Sequence, residues 1–573
     1  MFSSNRLALY LSLLAALLVF YIKFGWGVLN FYQYEWLAAY DVDNYTEYLS
    51  WEFFRQTPWE LPIIGTLRGY AYPTVTGVGM TGAMPIIAIP MKFIANAVTS
   101  GRFQYFGWWL LVCYLLQSFF AVKLLESLKV KGTINIVFGA MFLLFSTTLM
   151  TRTVHMSLCA HWLILWSLWI YVANWSKKRK FKHHFAIIFL TISIHQYLLL
   201  AVLALSFATY LKLRLQGSIS WLRFIIYNII SAPIIIGSWY IFGNFRISLK
   251  ALEIDGYGYF SANFNTFFNS LGRTKLFYAL PQAVDGQYEG YAYLGGGIIV
   301  LLILLTIVYL SKNTLKNIKN DAIWWLKEPL FIITVLLFIF ALSNKITFGS
   351  HILLHFPVKG TIAFLCAAFR STGRFAWVLY YCIITATIVY WYRNIDKKAY
   401  MTVILAACLG LQVYDLYPLL YYKNIKTNVF KPKIDLLRWQ TLTSEANRIV
   451  MYPSNTDGYR EAGDFLDFAN NAISNHQSIT AGYFARKDVA TTEPYQRGLE
   501  ALLKAGKLTG EERSIFVCLP NTTAQFEPMY ANDLVESFAL EGFTVVIPKT
   551  MTATITKFRN DNLAKPIVII KSN

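Results

Sequence analysis

Two carboxylates near the start of the chain, Asp41 and Asp43, could act as a proton-accepting base. They follow an apolar run at residues 7–28. Asn44 and Glu47 have the spacing of a capping box, which predicts a helix that begins just after Asn44. Asp43 would then precede the helix N-terminus, where the helix dipole favours an ionised carboxylate. The alternative is a pair of solvated loop acids with no role in catalysis.

A second set of candidate residues lies in two segments that are rich in tyrosine and glycine, 255–263 and 281–291. A tyrosine ring beside a glycine can lie flat against a sugar, and carboxylate or amide side chains can bind sugar hydroxyls. The alternative is a belt of interfacial tyrosines, which does not account for the acids and amides between them. The candidates for substrate binding are Asp255, Tyr257, Tyr259, Asn263, Asp285, Gln287 and Glu289.

A third set is basic and precedes an apolar run near residue 375. If this segment is helical, Arg370 and Arg374 share a face, and two guanidinium groups at the headgroup level suit a phosphate or pyrophosphate. Lys345 is a further cation of the same predicted loop. Arginines that end a span for interfacial reasons are the alternative. His155 and His195, near the ends of apolar runs, are also candidates for substrate binding, with packing as their alternative role.

The composition is that of a membrane protein. Of the 573 residues, 56% are apolar and only 14% are charged, and the net charge is +20. The basic residues cluster in short connections between apolar runs, as in Lys177–Lys182, which follows the positive-inside rule. This distribution excludes nucleic acid as a partner and predicts a lipid bilayer instead. The six cysteines include no Cys-x-x-Cys pair, so neither a disulfide framework nor structural zinc is predicted.

Hydropathy predicts about eleven spans, with the N-terminus cytoplasmic and the C-terminus outside. Residues 185–211 could also form one long tilted helix, but a break at 194–196 keeps every basic cluster on one side. The triplet Gly295–Gly297 opens a span and is predicted to allow close helix packing. The predicted spans are 7–28, 103–125, 133–150, 156–174, 183–195, 197–213, 221–243, 294–310, 329–343, 375–392 and 399–420.

The predicted fold class is an α-helical polytopic membrane protein with a small C-terminal α/β domain. Residues 1–420 form the transmembrane domain, and residues 421–573 form the α/β domain outside the membrane, because strand patterns there alternate with a helical pattern at 491–505. The long outer loops are predicted at 29–102, 244–293 and 344–374, and the strands at 448–453, 514–518, 544–547 and 566–570.

Several motifs resemble a bacterial family of uncharacterised multi-pass membrane proteins that is placed with the GT-C glycosyltransferases. The resemblance covers most of residues 35–380. It rests on the segments Asp43–Trp51, Phe53–Arg55, Pro58–Trp59, Phe103–Gly107, His155–Leu163, Gly256–Asn263, Gly286–Tyr293, Ser343–Gly349 and Arg370–Phe375.

The resemblance implies a catalytic aspartate in the first outer loop, and Asp43 is the matching position. It also implies a sugar on a polyprenyl phosphate as the donor. The family would be expected to carry an acidic residue near residue 82, where this chain has Gly82. A second carboxylate would then come from Asp41, Asp255 or Asp285, or a metal is not used.

Together these features predict a multi-pass glycosyltransferase of the bacterial inner membrane that is active on the periplasmic face. It would move a sugar from a polyprenyl-phosphate donor to a hydroxyl of an envelope glycan such as O-antigen or lipopolysaccharide. Asp43, with Asp41 beside it, would take the acceptor's proton, and Arg370 and Arg374 would hold the lipid phosphate. No cofactor is predicted, and a divalent metal stays an option.

Two other functions stay open. A transporter or flippase of lipid-linked sugar is one, although transporters usually carry ionisable groups at mid-membrane and the predicted spans hold few. An envelope glycan polymerase or ligase is the other, and it would also be a transferase of the outer face.

Overall fold

The computed structural model of the chain describes residues 4–40, 42–99, 101–247, 256–395, 397–421, 432–454, 464–484, 488–519 and 522–567. The chain forms two compact units. The first consists of Met1–Gln33, Gln104–Ser238 and Glu253–Asn428, and the second of Tyr34–Phe103, Trp239–Leu252 and Val429–Asn573. Most of the first predicted loop therefore belongs to the same unit as the C-terminal residues.

The described residues are mostly helical. In chain order the α-helices are α1 (Ser4–Phe24), α2 (Glu35–Tyr40), α3 (Val42–Gln56), α4 (Pro85–Val98), α5 (Phe106–Ser127), α6 (Thr133–Leu144), α7 (Thr147–Thr151), α8 (Trp162–Val172), α9 (Lys177–Ile192), α10 (Gln196–Leu215), α11 (Trp221–Ile229), α12 (Ala232–Ile241), α13 (Gly296–Lys312), α14 (Leu315–Lys327), α15 (Pro329–Leu342), α16 (Gly360–Ala367), α17 (Ala376–Asn394), α18 (Lys398–Leu420), α19 (Leu436–Thr443), α20 (Asp464–Ser474), α21 (Val489–Lys504), α22 (Glu527–Ala531) and α23 (Thr552–Asn560).

The strands are short. They are β1 (Thr66–Leu67), β2 (Thr76–Gly77), β3 (Lys345–Phe348), β4 (His351–His355), β5 (Arg448–Tyr452), β6 (Ser478–Ile479), β7 (Ser514–Cys518), β8 (Val535–Leu540), β9 (Phe543–Pro548) and β10 (Lys565–Ile567).

Six helices among the described residues are long and apolar enough to cross a membrane, and up to eight if two bent pairs each form one span. This agrees with a membrane protein. The count of eleven stays a prediction, because other predicted spans coincide with shorter helices such as Met156–Val172 and Gly296–Lys312. The six helices are Arg6–Phe24, Phe106–Ser127, Gln196–Leu215, Trp221–Ile241, Thr372–Asn394 and Lys398–Leu420.

The predicted break near residue 195 is confirmed. Helix α9 ends at Ile192 and α10 begins at Gln196. His195 caps α10, since its Nδ1 accepts a hydrogen bond of 3.2 Å from the backbone N–H of Tyr197. A side chain thereby satisfies one of the amide groups that the start of a helix leaves unpaired.

The close packing predicted for Gly295–Gly297 is confirmed in the first unit. A Cβ added to Gly297 would overlap the backbone oxygen of Cys408 on α18. The same helix satisfies the first amides of α13: Asp415 accepts a hydrogen bond from Gly296 N–H at 2.8 Å, and Gln412 accepts one from Ile298 N–H at 3.2 Å. Glycine permits the approach, and the two polar side chains make it compatible with a buried helix start.

The second unit contains a six-stranded sheet of order β10-β8-β9-β7-β5-β6. Strand β5 runs parallel to β6 and β7, and the remaining pairs are antiparallel. The small α/β domain is confirmed, with α21 at the predicted helix and β5, β7 and β9 at three predicted strands. The fourth predicted strand begins as β10, and its residues 568–570 lie outside the described residues. Strands β6 and β8 were not predicted.

The first predicted loop completes this sheet beyond β6. The backbone N–H of Ile479 donates to Gly69 O, and the N–H of Tyr72 donates to Ile479 O, each at 2.8 Å. The ring of Tyr70 stacks on Phe53 of α3 with 5.1 Å between centroids. A strand edge that would otherwise be open is therefore paired, and α3 is packed against the segment that pairs it.

Candidate functional site

Helix α3 carries two half-buried acidic residues on an otherwise mostly buried helix. Every residue from Asn44 to Arg55 is buried except Glu47, and Asp43 just before them is also only half-buried. Asp43 and Glu47 are four residues apart, so they lie on one helix face with about 5–6 Å between their Cβ atoms. The helix thus presents a pair of acids on a support that is fixed by packing.

The predicted capping box is wrong. Helix α3 begins at Val42, so Asp43 lies in its first turn and Asn44 lies inside the helix. Asn44 is fully buried, and neither polar atom of its side chain has a hydrogen-bond partner among the described residues. Tertiary packing has enclosed the residue that would have capped a later helix start. Asp43 is the acidic residue in the first turn of α3.

A glycine makes room for the second carboxylate. A Cβ added to Gly82 would overlap the carboxyl group of Glu47. The chain therefore places an acid from α3 where the resemblance leads one to expect an acid at residue 82. Sequence reasoning missed Glu47 as a site residue, although its spacing of four from Asp43 was the available signal.

The structure does not test the other proposed sources of a second carboxylate against this pair. Asp41 and Asp255 lie outside the described residues, and Asp285 is exposed in the first unit. Within the described ranges, no group of three His, Cys, Asp or Glu side chains is arranged to hold a metal ion.

Helix α3 is anchored to α20 of the C-terminal domain at both of its ends. The hydroxyl of Tyr45 donates to Asn470 Oδ1 at 2.6 Å. The Arg102 guanidinium donates to the same oxygen at 2.5 Å and to the backbone oxygen of Asn470 at 2.6 Å. At the other end of α3, Gln56 donates to Ile473 O at 2.8 Å. The carboxylate pair therefore depends on residues more than 400 positions further along the chain.

A second cluster lies in the first unit around the buried carboxylate of Glu289. Arg152 approaches it at 2.8 Å, and Arg374 binds both of its oxygens, at 2.9 and 3.1 Å. Burial alone would raise the pKa of Glu289, but the two guanidinium groups outweigh burial and hold that pKa well below its usual range. Two positive charges against one negative leave one positive charge in a nearly water-free site.

The cluster brings together four candidates from the sequence, His155, His195, Glu289 and Arg374. The charge of His155 contributes to lowering the pKa of Glu289, and the charges of Arg374 and His155 contribute to lowering the pKa of His195. Burial, with the charge of Arg374, lowers the pKa of His195 well below its usual value, so its imidazole is neutral at pH 7. Arg152 was missed, although a basic residue at the end of an apolar run carries the same signal as Arg374.

The segment that carries Arg370 and Arg374 is not a single helix, so the condition for a shared helix face is not met. Arg374 lies in the short 3₁₀ helix Thr372–Phe375, and Arg370 lies outside any helix. The reason is the close approach at Gly373, whose N–H donates to Phe260 O at 3.0 Å and whose added Cβ would lie 2.7 Å from backbone atoms of Gly290.

The two arginines consequently differ in their surroundings. Arg374 is buried in its bidentate ion pair and lies over the ring of Tyr197 at 4.7 Å. Arg370 is half-buried, with its guanidinium 5.6 Å from the centroid of the Phe260 ring. Among the described residues, no carboxylate pairs with Arg370, so its charge is available to an anion.

Two candidates for sugar binding are already saturated by protein groups. The Asn263 amide donates to Gln287 at 3.0 Å and to Gly349 O at 2.8 Å, and it accepts from the N–H groups of Gly349 and Asn265. Gln287 in turn donates to Thr347 at 2.7 Å and accepts from Ala283 N–H. These amides tie the 263–287 segment to the β3–β4 hairpin and have no group left for a sugar.

The remaining candidates keep contact with solvent. Tyr259 and Asp285 are exposed, and Tyr257 and Lys345 are half-buried. Tyr259 packs its ring where a side chain at Gly286 would stand. The predicted arrangement of a tyrosine ring beside a glycine is therefore present at Tyr259, with the ring partly open to a ligand.

Two family models match the chain, and neither description names an activity. The model described as a domain of unknown function (DUF6311) matches residues 13–417, and the model of the DUF6311 C-terminal domain matches residues 438–548. No curated protein matches the chain.

The Glu289 cluster predicts a large loss of stability on substitution. Glu289→Gln leaves Arg152 and Arg374 buried without a carboxylate, which should cost roughly 3–5 kcal/mol in unfolding free energy. The exposed pair Asp533–Lys549 offers a control, because Asp533→Asn should change stability by less than about 1 kcal/mol. Unfolding of purified protein in detergent measures both, and equal small losses would contradict the assignment.

The same carboxylate predicts a pH dependence. The folded-state pKa of Glu289 is depressed, so its contribution to stability is complete above the unfolded pKa of about 4 and is lost as the pH falls further. Wild-type protein should lose more stability than Glu289→Gln below pH 4, and equal slopes for the two proteins would count against the ion pair.

Asn470→Ala should loosen α3 without unfolding the C-terminal domain. The substitution removes the acceptor of both Tyr45 and Arg102, so backbone amides of α3 should exchange hydrogen faster. Asn471→Ala is the matched control on α20, because Asn471 donates to Thr443 within the C-terminal domain. Exchange mass spectrometry should show faster exchange in α3 for the first variant only, and unchanged α3 exchange would refute the anchor.

Proposed function

We propose that this chain is a membrane glycosyltransferase that moves a sugar from a polyprenyl-phosphate donor to a hydroxyl of an envelope glycan. The chain belongs to the DUF6311 family, whose description assigns no activity. One observation carries the proposal: along residues 43–55 of α3, only Asp43 and Glu47 are not buried. Two acids on one face of a rigid, buried helix can bind a hydroxyl and take its proton.

Asp43 is the base of the proposed reaction. The acceptor oxygen attacks the anomeric carbon of the donor sugar while its proton passes to an Asp43 oxygen. The bond between the anomeric carbon and the phosphate oxygen breaks, and the phosphate leaves with the electron pair. Because a phosphate is a good leaving group, no carboxylic acid is needed to protonate it, unlike in glycosidases. Glu47 orients the acceptor from the same helix face.

Arg370 is the proposed contact for the donor phosphate. Its guanidinium has no carboxylate partner within the described residues, whereas the charge of Arg374 is engaged by Glu289. Arg152, Glu289 and Arg374 instead supply a fixed surplus of one positive charge, which favours an anion nearby. Arg374 is thus a positioning residue in this proposal, and Arg370 a binding residue.

The proposal includes the membrane placement expected from the sequence. In this placement the protein has about eleven spans in a bacterial inner membrane, a cytoplasmic N-terminus, and the α/β domain on the periplasmic face. The basic clusters in alternate connections support it. The proposed step uses Asp43 as a base, and a divalent metal stays an option.

A transporter of lipid-linked sugar is the second candidate function. One observation favours it: Arg152, Glu289 and Arg374 form a buried ionic cluster beside apolar helices, where transporters often hold charged substrates. A transporter needs no base, so the two functions differ in their requirement for Asp43.

Asp43→Asn should abolish most sugar transfer while the protein remains folded. The amide keeps the size of the side chain but cannot accept the proton, which should lower the rate about 10²–10⁴-fold. Glu35→Gln is the matched control, because Glu35 is an exposed acid in the first turn of α2. Transfer of labelled sugar from polyprenyl phosphate by purified protein measures both. Near wild-type transfer by Asp43→Asn would refute the base, and intact lipid-sugar translocation would favour the transporter.

Arg370→Ala should raise the KM for the donor at unchanged thermal stability. A charge-assisted hydrogen bond of about 1.5–3 kcal/mol would be lost, and Arg370→Lys should restore only part of it. Arg374→Ala should instead lower stability, because it removes one partner of the buried Glu289. Donor titrations and unfolding curves separate the two effects, and an unchanged donor KM in Arg370→Ala would show that Arg370 does not bind the phosphate.

A further inference from the structure

Helix α4 in the second unit has its charged residue inside and its apolar residues outside. Lys92 is 1% exposed, and its Nζ donates to Thr57 O at 2.6 Å. The ammonium group also lies 4.3 Å from the Phe54 ring centroid and 4.2 Å from that of Trp59. Backbone and aromatic groups of the protein thus satisfy the only charge of α4.

The outer side of α4 and the neighbouring loop form an apolar surface. Phe93 is 74% and Val98 75% exposed, and Ile94 lies between them on the same side of the helix. Trp59, which covers Lys92, and Leu61 are also exposed. We call these five residues the α4 face. The charged residue within this loop, Glu60, is paired with Arg68 and Arg246. Exposed apolar side chains are ordinary one at a time, but a group of five is typical of an interface.

The start of α4 is tied to the end of a candidate membrane span. The segment before α4 includes Gly77 and Gly79, and a Cβ on either would overlap atoms of Gly243 or Asn244. These residues directly follow the candidate span Trp221–Ile241, whose last three residues belong to the second unit. The approach to α4 is therefore packed against the chain at the point where it leaves that helix.

We propose that the α4 face lies in the lipid bilayer, at the boundary between headgroups and acyl chains. Its five apolar side chains gain from burial in lipid, and the indole of Trp59 suits the interface. Surface-bound helices usually direct lysines towards anionic headgroups, but Lys92 is used inside the protein. The attachment is consequently apolar and independent of lipid charge. It rests on the chain being a membrane protein and not on its catalytic activity.

Contact of the α4 face with lipid would set the distance of the carboxylate pair from the membrane surface. Arg55 at the end of α3 donates to Asn96 of α4 at 3.0 Å and to Thr99 O at 2.6 Å, and Asn96 donates back to Arg55 O. Twelve residues separate Arg55 from Asp43, about 18 Å of helix. A face of α4 held in lipid thereby fixes one end of α3, whatever reaction the other end performs.

Spin labels in full-length protein reconstituted into vesicles test the proposal. Labels at Phe93→Cys and Val98→Cys should collide with oxygen, which concentrates in lipid, rather than with a water-soluble nickel reagent. Leu437→Cys on α19 is the matched control, because Leu437 is also apolar, helical and 77% exposed. Wild-type protein serves as the labelling blank, since its native cysteines are buried apart from the half-buried Cys382.

The oxygen-to-nickel ratio should be several-fold higher at both α4 positions than at Leu437→Cys, in neutral phosphatidylcholine and in anionic vesicles alike. Nickel access equal to that of the control would place the face in water and overturn the proposal. Low access to both reagents would mean that protein, such as a second copy of the chain, covers the face, and would also overturn it. Insertion in anionic vesicles only would overturn its apolar character.

Discussion

The carboxylate of Glu289 imposes the strictest electrostatic constraint on the first unit. A buried anion costs several kcal/mol unless cations and hydrogen bonds surround it. Arg152 and Arg374 meet that need from segments more than 80 residues away on either side of Glu289 along the chain. The end of α7, the 285–290 segment and the start of α17 must therefore come together before any of them is stable.

The second unit uses a different principle to hold a pair of charges. Asp43 and Glu47 are not enclosed, but the helix that carries them is. Tyr45 and Gln56 attach the two ends of α3 to α20, while Gly82 leaves space for the Glu47 carboxyl group. Packing and hydrogen bonds thus fix the supporting helix, while the two acidic residues are only half-buried. Reactive groups on a rigid support are what positioned acid–base chemistry requires.

Features that depend on interactions between residues close in sequence could be predicted, and features that depend on distant residues could not. The break at His195, the glycine approach at Gly297 and three strands of the α/β domain were predictable, because hydropathy, small residues and strand patterns act locally. The start of α3 was not, because a local capping pattern at Asn44 gave way to tertiary burial. The partner of Arg374 is a carboxylate 85 residues away, which no spacing rule can identify. Short helices such as α13 leave the number of spans undetermined by hydropathy.

The bond between Tyr45 and Asn470 joins residues 425 positions apart. During synthesis, α3 emerges from the ribosome long before α20 exists, so the nascent chain carries its acids on a helix that still lacks its anchor. The bonds of α3 to α4 can form early, but its bonds to α20 need the C-terminal domain. A product truncated before α20 could still insert its apolar helices, yet it would present no fixed pair of carboxylates. The fold thereby makes chain completion a condition for an ordered site.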